Sequence, residues 1–360
     1  MTVLASGSKG NSAVVSTDRT HILVDAGLSC RELLRRLAVA GEDPGTLSAI
    51  LITHEHQDHV AGLGVLARRL GIPVFLTEPT HRAWVRMLTP RSTMTYAQWL
   101  DRFAIEKAEK ERALVAAATV PTYAPLGPAP ADIAADLEAI AAISVEAAIF
   151  DPALNAPLLA VADIPDEPCE LTATKPGETS AKSSLTPSKI DPTYLPAVEY
   201  FHSGTGFTIG DIDVCPFTIP HDAADPCGFV FSNMGIRFGL ATDLGYMPPN
   251  VKSALRDVDL LLLESNHDLE MLKDGPYPWS VKQRVLSRVG HLSNFAAAEF
   301  LERDYDGCAH TIILGHLSES NNVPELARIA AEHAVGDRMR LLGNRIVLAQ
   351  QHAPIDAITL

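Results

Sequence analysis

The chain has 360 residues, 47% of them hydrophobic, enough for one large domain or two ordinary ones with an ample core. Its net charge of −15, from 44 acidic against 29 basic residues, argues against a broad basic surface for non-specific nucleic-acid binding. No apolar run approaches the roughly 18 residues that a membrane span needs, so no membrane partner is expected. The N-terminus has no charged region ahead of a long apolar stretch. The cysteines (Cys30, Cys169, Cys215, Cys227, Cys308) are scattered, odd in number and without a Cys-x-x-Cys pair. They read as free thiols in a reducing compartment, and the cytoplasm is the expected location. An acidic balance does not exclude a nuclease, because bound divalent ions supply positive charge locally.

Val3 to Ser6, Ser12 to Thr17 and His21 to Asp25 read as three short strands. The first loop, Ser6-Gly-Ser-Lys-Gly-Asn-Ser12, could present backbone N–H groups to an anion or be an ordinary hairpin loop; composition leaves both open. Asp25 ends the third strand. Taken alone it reads better as a helix cap, but in a metal site it would orient a ligating histidine. Ser29 caps a helix over about Cys30 to Ala40, with Leu33, Leu34 and Leu37 on one face.

The next strand, Ala49 to Ile52, runs into Thr53-His-Glu-His-Gln-Asp-His59 and then a helix ending at Gly71. His54, His56, Asp58 and His59 therefore fall on a strand-to-helix loop, a usual place for chemistry on a buried sheet. Residues two apart in extended chain point the same way, so His54 and His56 can reach one metal. As the chain turns, Asp58 and His59 can swing to a second, and imidazole with carboxylate suits zinc, manganese or iron.

Ile72 to Thr77 reads as a strand and Pro79 to Leu88 as a helix. Over 89–197 the texture becomes Ala- and Pro-rich, with Ile133, Leu137 and Ile140 on one face of a helical piece and a Thr/Ser/Lys/Pro-rich linker over Thr172 to Pro187. It reads as an insertion between 1–88 and 198–360, serving as a lid, a dimerisation arm or irregular chain.

Regular structure is expected to resume at Phe207, with a hairpin turning at Gly210-Asp211 and running toward His221. Strands follow at Gly228 to Phe231, Arg237 to Asp243 and Val258 to Leu263, the last leading to Glu264-Ser-Asn-His267. A helix around Ser280 to Val289 precedes Gly290-His291-Leu-Ser-Asn294, where Ser293 or Asn294 can cap a helix over Phe295 to Leu301. Thr311 to Gly315 is a buried strand ending in His316 and Ser318, then come a helix over Glu325 to Ala334 and a last strand over Ile346 to Ala349.

Strand after strand thus ends in Asp or His: Asp25, His54, His221, Asp243 and His316. This order, with the His-x-His-x-Asp-His loop, resembles the metallo-β-lactamase superfamily. The segments Ser-Gly-Ser-Lys-Gly-Asn-Ser, Asp-Ala-Gly-Leu-Ser-Cys, Pro-His-Asp-Ala-Ala-Asp-Pro, Thr-Asp-Leu-Gly, Glu-Ser-Asn-His-Asp, Gly-His-Leu-Ser-Asn and Leu-Gly-His-Leu-Ser-Glu are similar to its WalJ/YycJ branch. The resemblance implies an α/β fold: an αββα sandwich of two mixed sheets flanked by helices, here with a long insertion. The stretch between Asp243 and His316 is too short for the β-CASP domain of RNase J-type relatives.

The resemblance also implies roles. His54, His56 and His221 would hold one divalent ion (zinc or manganese), Asp58, His59 and His316 a second, and Asp243 would bridge. A hydroxide shared by the ions would attack phosphorus. His291 would be the general acid, with Glu264 or His267 as its partner. Asp25 would orient a ligand. Ser6, Ser8, Asn11, Ser293, Asn294 and Ser318 would contact the substrate phosphate. The implied activity is 5′-to-3′ DNA exonuclease, with DNA favoured over RNA and a homodimer compatible with the arm. Competing readings are a cyclic phosphodiesterase, a glyoxalase-type thioesterase, or a regulatory protein using its metals structurally.

Overall fold

The computed structural model describes residues 1–89, 191–336 and 345–360. Most of the insertion, with Ile133, Leu137, Ile140, the Thr172–Pro187 linker and Cys169, lies outside these residues.

Two sheets form the described body. The first has six strands in sequence order: β1 (Thr2–Ala5), β2 (Ser12–Ser16), β3 (His21–Val24), β4 (Leu47–Leu51), β5 (Val74–Leu76) and β6 (Val198–Tyr200). The second has seven: β7 (Phe207–Ile209), β8 (Ile212–Thr218), β9 (Cys227–Asn233), β10 (Ile236–Ala241), β11 (Leu260–Glu264), β12 (Thr311–Gly315) and β13 (Arg345–Leu348). Each begins as an antiparallel meander and continues as parallel strands, the change falling at β3–β4 and at β10–β11. Hairpins explain the first half; the parallel half needs helical crossovers.

Those crossovers cover the outer faces. Helices α1 (Cys30–Val39), α3 (Leu63–Leu70) and α4 (Glu78–Leu88) lie on the first sheet; α2 (Gln57–Val60) is a single turn. On the second sheet lie α5 (Pro249–Ala254), α8 (Asn294–Arg303) and α9 (Pro324–Val335), while α6 (Leu269–Asp274) and α7 (Trp279–Val285) lead into the site. Strand periodicity sorts the apolar side chains between layers. Ile22, Val24, Leu51, Leu260, Leu262 and Ile313 meet between the sheets. Their neighbours Leu23 and Ile50 pack outward beneath one helical layer, and Leu261, Leu263, Ile312 and Leu314 beneath the other. At about 1.5–3 kcal/mol per buried side chain of this kind, this interleaving is the main favourable term of the fold.

Several boundaries differ from the sequence reading. The helix after the signature loop is split, because Gly62 lies against the backbone of Leu28, so close that a Cβ would fall 2.2 Å from its carbonyl oxygen. Asp58 and His59 consequently sit on the one-turn α2 rather than on a loop. Regular structure resumes before Phe207: β6 pairs in parallel with β5, and Leu195 is buried in the layer above it. Helices α5 and α6 were missed because each is too short to show a period. Among the described residues no helix is long and apolar enough to cross a membrane.

Candidate metal centre

The parallel strands end level with one another. Val24 pairs with Leu51 in one sheet, and Ala241, Leu263 and Leu314 align in the other. The residues just beyond therefore share one edge of the sandwich, where open α/β sheets place their ligands. Asp25, Asp243 and His316 each adopt positive φ (61°, 63° and 55°) on leaving their strands. This left-handed turn costs about 1–2 kcal/mol per residue, and at all three positions it directs the chain along the sheet edge.

The Asp25 carboxylate accepts the Thr53 N–H (2.9 Å) and the Thr53 hydroxyl, and lies 2.8 Å from His59 Nδ1. Thr53 Oγ1 in turn stands 3.0 Å from His54 Nδ1. Next to Asp25 the backbone of Gly27 is so close to Asp58 that a Cβ would lie 1.7 Å from the Asp58 carbonyl oxygen. On the other sheet, His221 Nδ1 donates to the Gly290 carbonyl (3.2 Å) and His316 Nδ1 donates to Glu264 Oε1 (3.0 Å). In His54, His59, His221 and His316 alike, Nδ1 is anchored by the fold, which leaves Nε2 as the lone pair facing inward. Such anchoring of one ring nitrogen by an outer partner is the arrangement of metal-ligating histidines.

The inward atoms converge in two groups. Ligand atoms of His54, His56 and His221 lie within 4.8 Å of one another, as do those of Asp58, His59, Asp243 and His316. His221 Nε2 and His56 Nδ1 are 3.2 Å apart. Asp58 Oδ2 stands 3.6 Å from His59 Nε2 and 3.5 Å from His316 Nε2. Asp243 belongs to the second group, with Oδ2 3.4 Å from His59 Nε2 and Oδ1 3.4 Å from His316 Nδ1. His54 Nε2 is buried without a hydrogen-bond partner. A buried lone pair left unmatched amid carboxylates and other imidazoles fits a divalent cation of the borderline kind.

The electrostatics agree. Burial holds the His54 imidazole well below its usual pKa, with the neighbouring His59 adding to the effect. Burial would lower His59 and His316 too, but Asp243, with Asp25 and Asp58 on one and Asp58 and Glu264 on the other, holds both well above it. Burial would raise Asp243, yet His316 and His59 keep it well below the carboxylate range. The centre is thus a dense, mutually compensated set of ionisable groups whose protons a cation would displace.

His291 lies at the mouth, its side chain 23% exposed, with Nδ1 2.8 Å from Glu264 Oε1 and 3.8 Å from Asp243 Oδ1. Glu264 therefore touches both His291 and His316, and its second oxygen accepts the Leu244 N–H at 2.8 Å. Burial would raise this carboxyl, but His291 and His316 hold it down to about 2. His267, named as an alternative partner of His291, is buried with neither ring nitrogen hydrogen-bonded. The partner in contact is Glu264.

The residues expected to touch substrate are mostly occupied elsewhere. Ser6 Oγ accepts the His316 N–H (2.7 Å), so it fixes a backbone turn. Ser293 is the N-cap of α8, Asn294 is bonded to Ser265 and Asn322, and Ser318 accepts the Asn321 N–H. Asn11 places Nδ2 3.2 Å from Asp58 Oδ2 and 3.0 Å from His59 Nε2, against the cluster itself. The N–H groups of Gly7, Lys9, Gly10 and Asn11 all donate within the protein, which leaves no cradle for an anion in that loop. Only Ser8 of this set is exposed.

Three residues outside the sequence reading organise the site. Thr53 joins Asp25 to two histidines, Asn266 Nδ2 donates to the His316 carbonyl (2.8 Å), and Glu55 Oε1 accepts the Ala224 N–H (2.8 Å) in the His221 loop. Thr53 and Glu55 lie inside the signature loop, so adjacency was their signal; for Asn266 it was its place in the Glu264-Ser-Asn-His267 segment.

Residues 6–132 match the family description "Metallo-beta-lactamase superfamily", and residues 120–316 match "Beta-lactamase superfamily domain". The chain is 30% identical over 327 residues to "Exodeoxyribonuclease WalJ" of Streptococcus pneumoniae, covering 91% of this chain and 84% of that protein. It is 30% identical over 336 residues to "Exodeoxyribonuclease YycJ" of Bacillus anthracis, covering 93% and 89%. Among solved structures it is similar to the metallo-beta-lactamase fold protein YhfI of Bacillus subtilis, with TM-score 0.53, 11% identity and 99% and 98% coverage. It is also similar to PqqB of Methylobacterium extorquens, with TM-score 0.50, 12% identity and 99% of each chain covered.

Proposed function

Because the chain belongs to the metallo-β-lactamase superfamily, and within it to the WalJ/YycJ branch, we propose that it is a metal-dependent exodeoxyribonuclease digesting DNA from the 5′ end. The observation that carries this reading is 30% identity to two exodeoxyribonucleases over nearly the whole chain. It favours a nuclease over the cyclic phosphodiesterase, thioesterase and regulatory alternatives.

We assign His54, His56 and His221 to one zinc or manganese ion and Asp58, His59 and His316 to a second, with Asp243 reaching both. Ions held there would supply Lewis-acid charge against the phosphate and make an attacking water acidic. The protein's own part is to keep the ligands oriented and the proton inventory correct. Asp25 and Thr53 hold His59 and His54 in one tautomer; Glu264 does the same for His316. His291, anchored at Nδ1 by Glu264, keeps Nε2 for donating a proton to the departing oxygen. The Ser8 hydroxyl is our remaining candidate for a phosphate contact. The 89–197 insertion as a lid or dimerisation arm, and a cytoplasmic setting in which Cys215, Cys227 and Cys308 stay free thiols, belong to the same proposal.

The test is product analysis on end-labelled single- and double-stranded DNA and RNA with manganese or zinc, using Asp58→Ala as control. Stepwise mononucleotide release from the 5′ end of DNA, absent in the control, is the expected result. Hydrolysis of a small phosphodiester or thioester with no polymer cleaved would overturn it.

A further inference from the structure

Between Asp274 and Glu299 the chain carries no acidic residue, although the protein as a whole has 44 acids and 29 bases. Within that stretch lie Lys282, Arg284, Arg288 and His291. The stretch is α7 and the turn that delivers His291 to the centre. Three of its apolar side chains face solvent: Trp279 is 66% exposed, Leu286 50% and Val289 43%. Exposed apolar residues gathered on one short segment, unlike ones scattered singly, mark an interaction surface.

The C-terminal end of the strip abuts the metal centre. The Asp222 N–H donates to the Val289 carbonyl (3.1 Å) and Arg284 pairs with Asp222, the neighbour of His221. The His291 N–H donates to the Val285 carbonyl at 3.0 Å, tying His291 to the end of α7. Gly290 allows this, since a Cβ there would fall 2.2 Å from that same carbonyl. Arg288 lies over the Tyr246 ring, 4.3 Å from its centroid, rather than against a carboxylate. Lys282 is already committed, donating to the Lys273 carbonyl at 2.7 Å.

We propose that the α7–His291 strip is the track for the single-stranded nucleic acid next to the scissile phosphate, with a base stacking on Trp279 and a phosphate on Arg288. Two features select this occupant over a protein partner. The strip is cationic on an anionic protein, and it pairs an aromatic face with a guanidinium, the combination that holds single strands without reading sequence. The reach also fits. Trp279 stands six residues from Val285, about 9 Å along the helix, or two to three stacked nucleotide steps beyond His291. The proposal rests on the exonuclease reading and names where its polymer substrate runs.

The test is fluorescence anisotropy of a labelled DNA single strand across a salt series, with the full-length parent, Trp279→Ala, Trp279→Phe and Arg288→Ala. Trp279→Ala should weaken binding about tenfold with an unchanged salt slope, and Trp279→Phe should recover most of the loss. Arg288→Ala should weaken binding and reduce the salt slope by about one phosphate contact. Parent-like affinity in both alanine variants, while the parent still digests DNA, overturns the track and leaves the exonuclease intact. Unchanged DNA affinity with altered sedimentation of Trp279→Ala assigns the strip to a second copy of the chain and also overturns it. A parent that neither binds nor digests DNA sinks the functional reading itself.

Discussion

Asp25 Oδ2 lies 2.8 Å from His59 Nδ1, and both side chains are buried. The pair crosses from the end of β3 to α2 and fixes which nitrogen of His59 faces Asp58 and Asp243. Removing such an outer partner typically weakens metal affinity 10- to 100-fold. Asp25→Ala should therefore bind at least one ion about tenfold more weakly, read by metal titration against a chromophoric chelator. Affinity equal to the parent would show that Asp25 serves only the Thr53 turn.

His291→Ala should keep its metal content and lose about 10²–10⁴ in turnover of polymer, because a general acid contributes in that range. Metal analysis and kcat on one preparation separate the roles. Loss of an ion would instead make His291 a ligand beside Asp243, Glu264 and His316, with which its ligand atoms also cluster.

Arg36 is buried on α1, where Nη1 donates to the Leu4 carbonyl (3.0 Å) and to the Gln351 carbonyl (2.7 Å). It joins β1 to the C-terminal segment. Arg36→Met keeps the aliphatic stem but leaves two buried carbonyls without their donor, while Glu32 keeps Arg35. The expected loss is about 3 kcal/mol in chemical denaturation. A loss under about 0.5 kcal/mol would place water at those carbonyls instead.

Burial pushes the His267 imidazole down to about 4, so it is neutral in the fold near pH 7. A depressed pKa gives stability that is complete above the unfolded value near 6.5 and is lost as pH falls toward 4. In chelator, so that metal release plays no part, His267→Leu should escape most of that loss. Its advantage over the parent should grow by roughly 3 kcal/mol between pH 7 and 4. Parallel stability curves for the two proteins would show that His267 is solvated as the chain stands.

The sequence by itself determined the buried strands and the residue types that gather at their ends. An unbroken apolar run such as Ile312–Leu314 can be satisfied only by covering both faces of a strand, and the His54–His59 spacing is local enough for a chain of a few residues to set its geometry. Asp25 was ambiguous, because a carboxylate at a strand end serves equally as a helix cap, and only the company of the His54–His59 loop pointed to an orienting role. Tertiary structure alone decided what depends on distance across the sandwich. Glu264 serves both His291 and His316 because β11 pairs with β12 and the chain just beyond it, at His267, meets the His291 turn at Ser293, a neighbour relation no local pattern encodes. The serines and asparagines read as substrate contacts were drawn inward because α8, the His316 turn and the first loop had unpaired backbone donors or buried polar neighbours to satisfy. Short polar side chains near a site look alike in sequence. Whether they face the substrate or the fold is settled by which buried group would otherwise go unpaired.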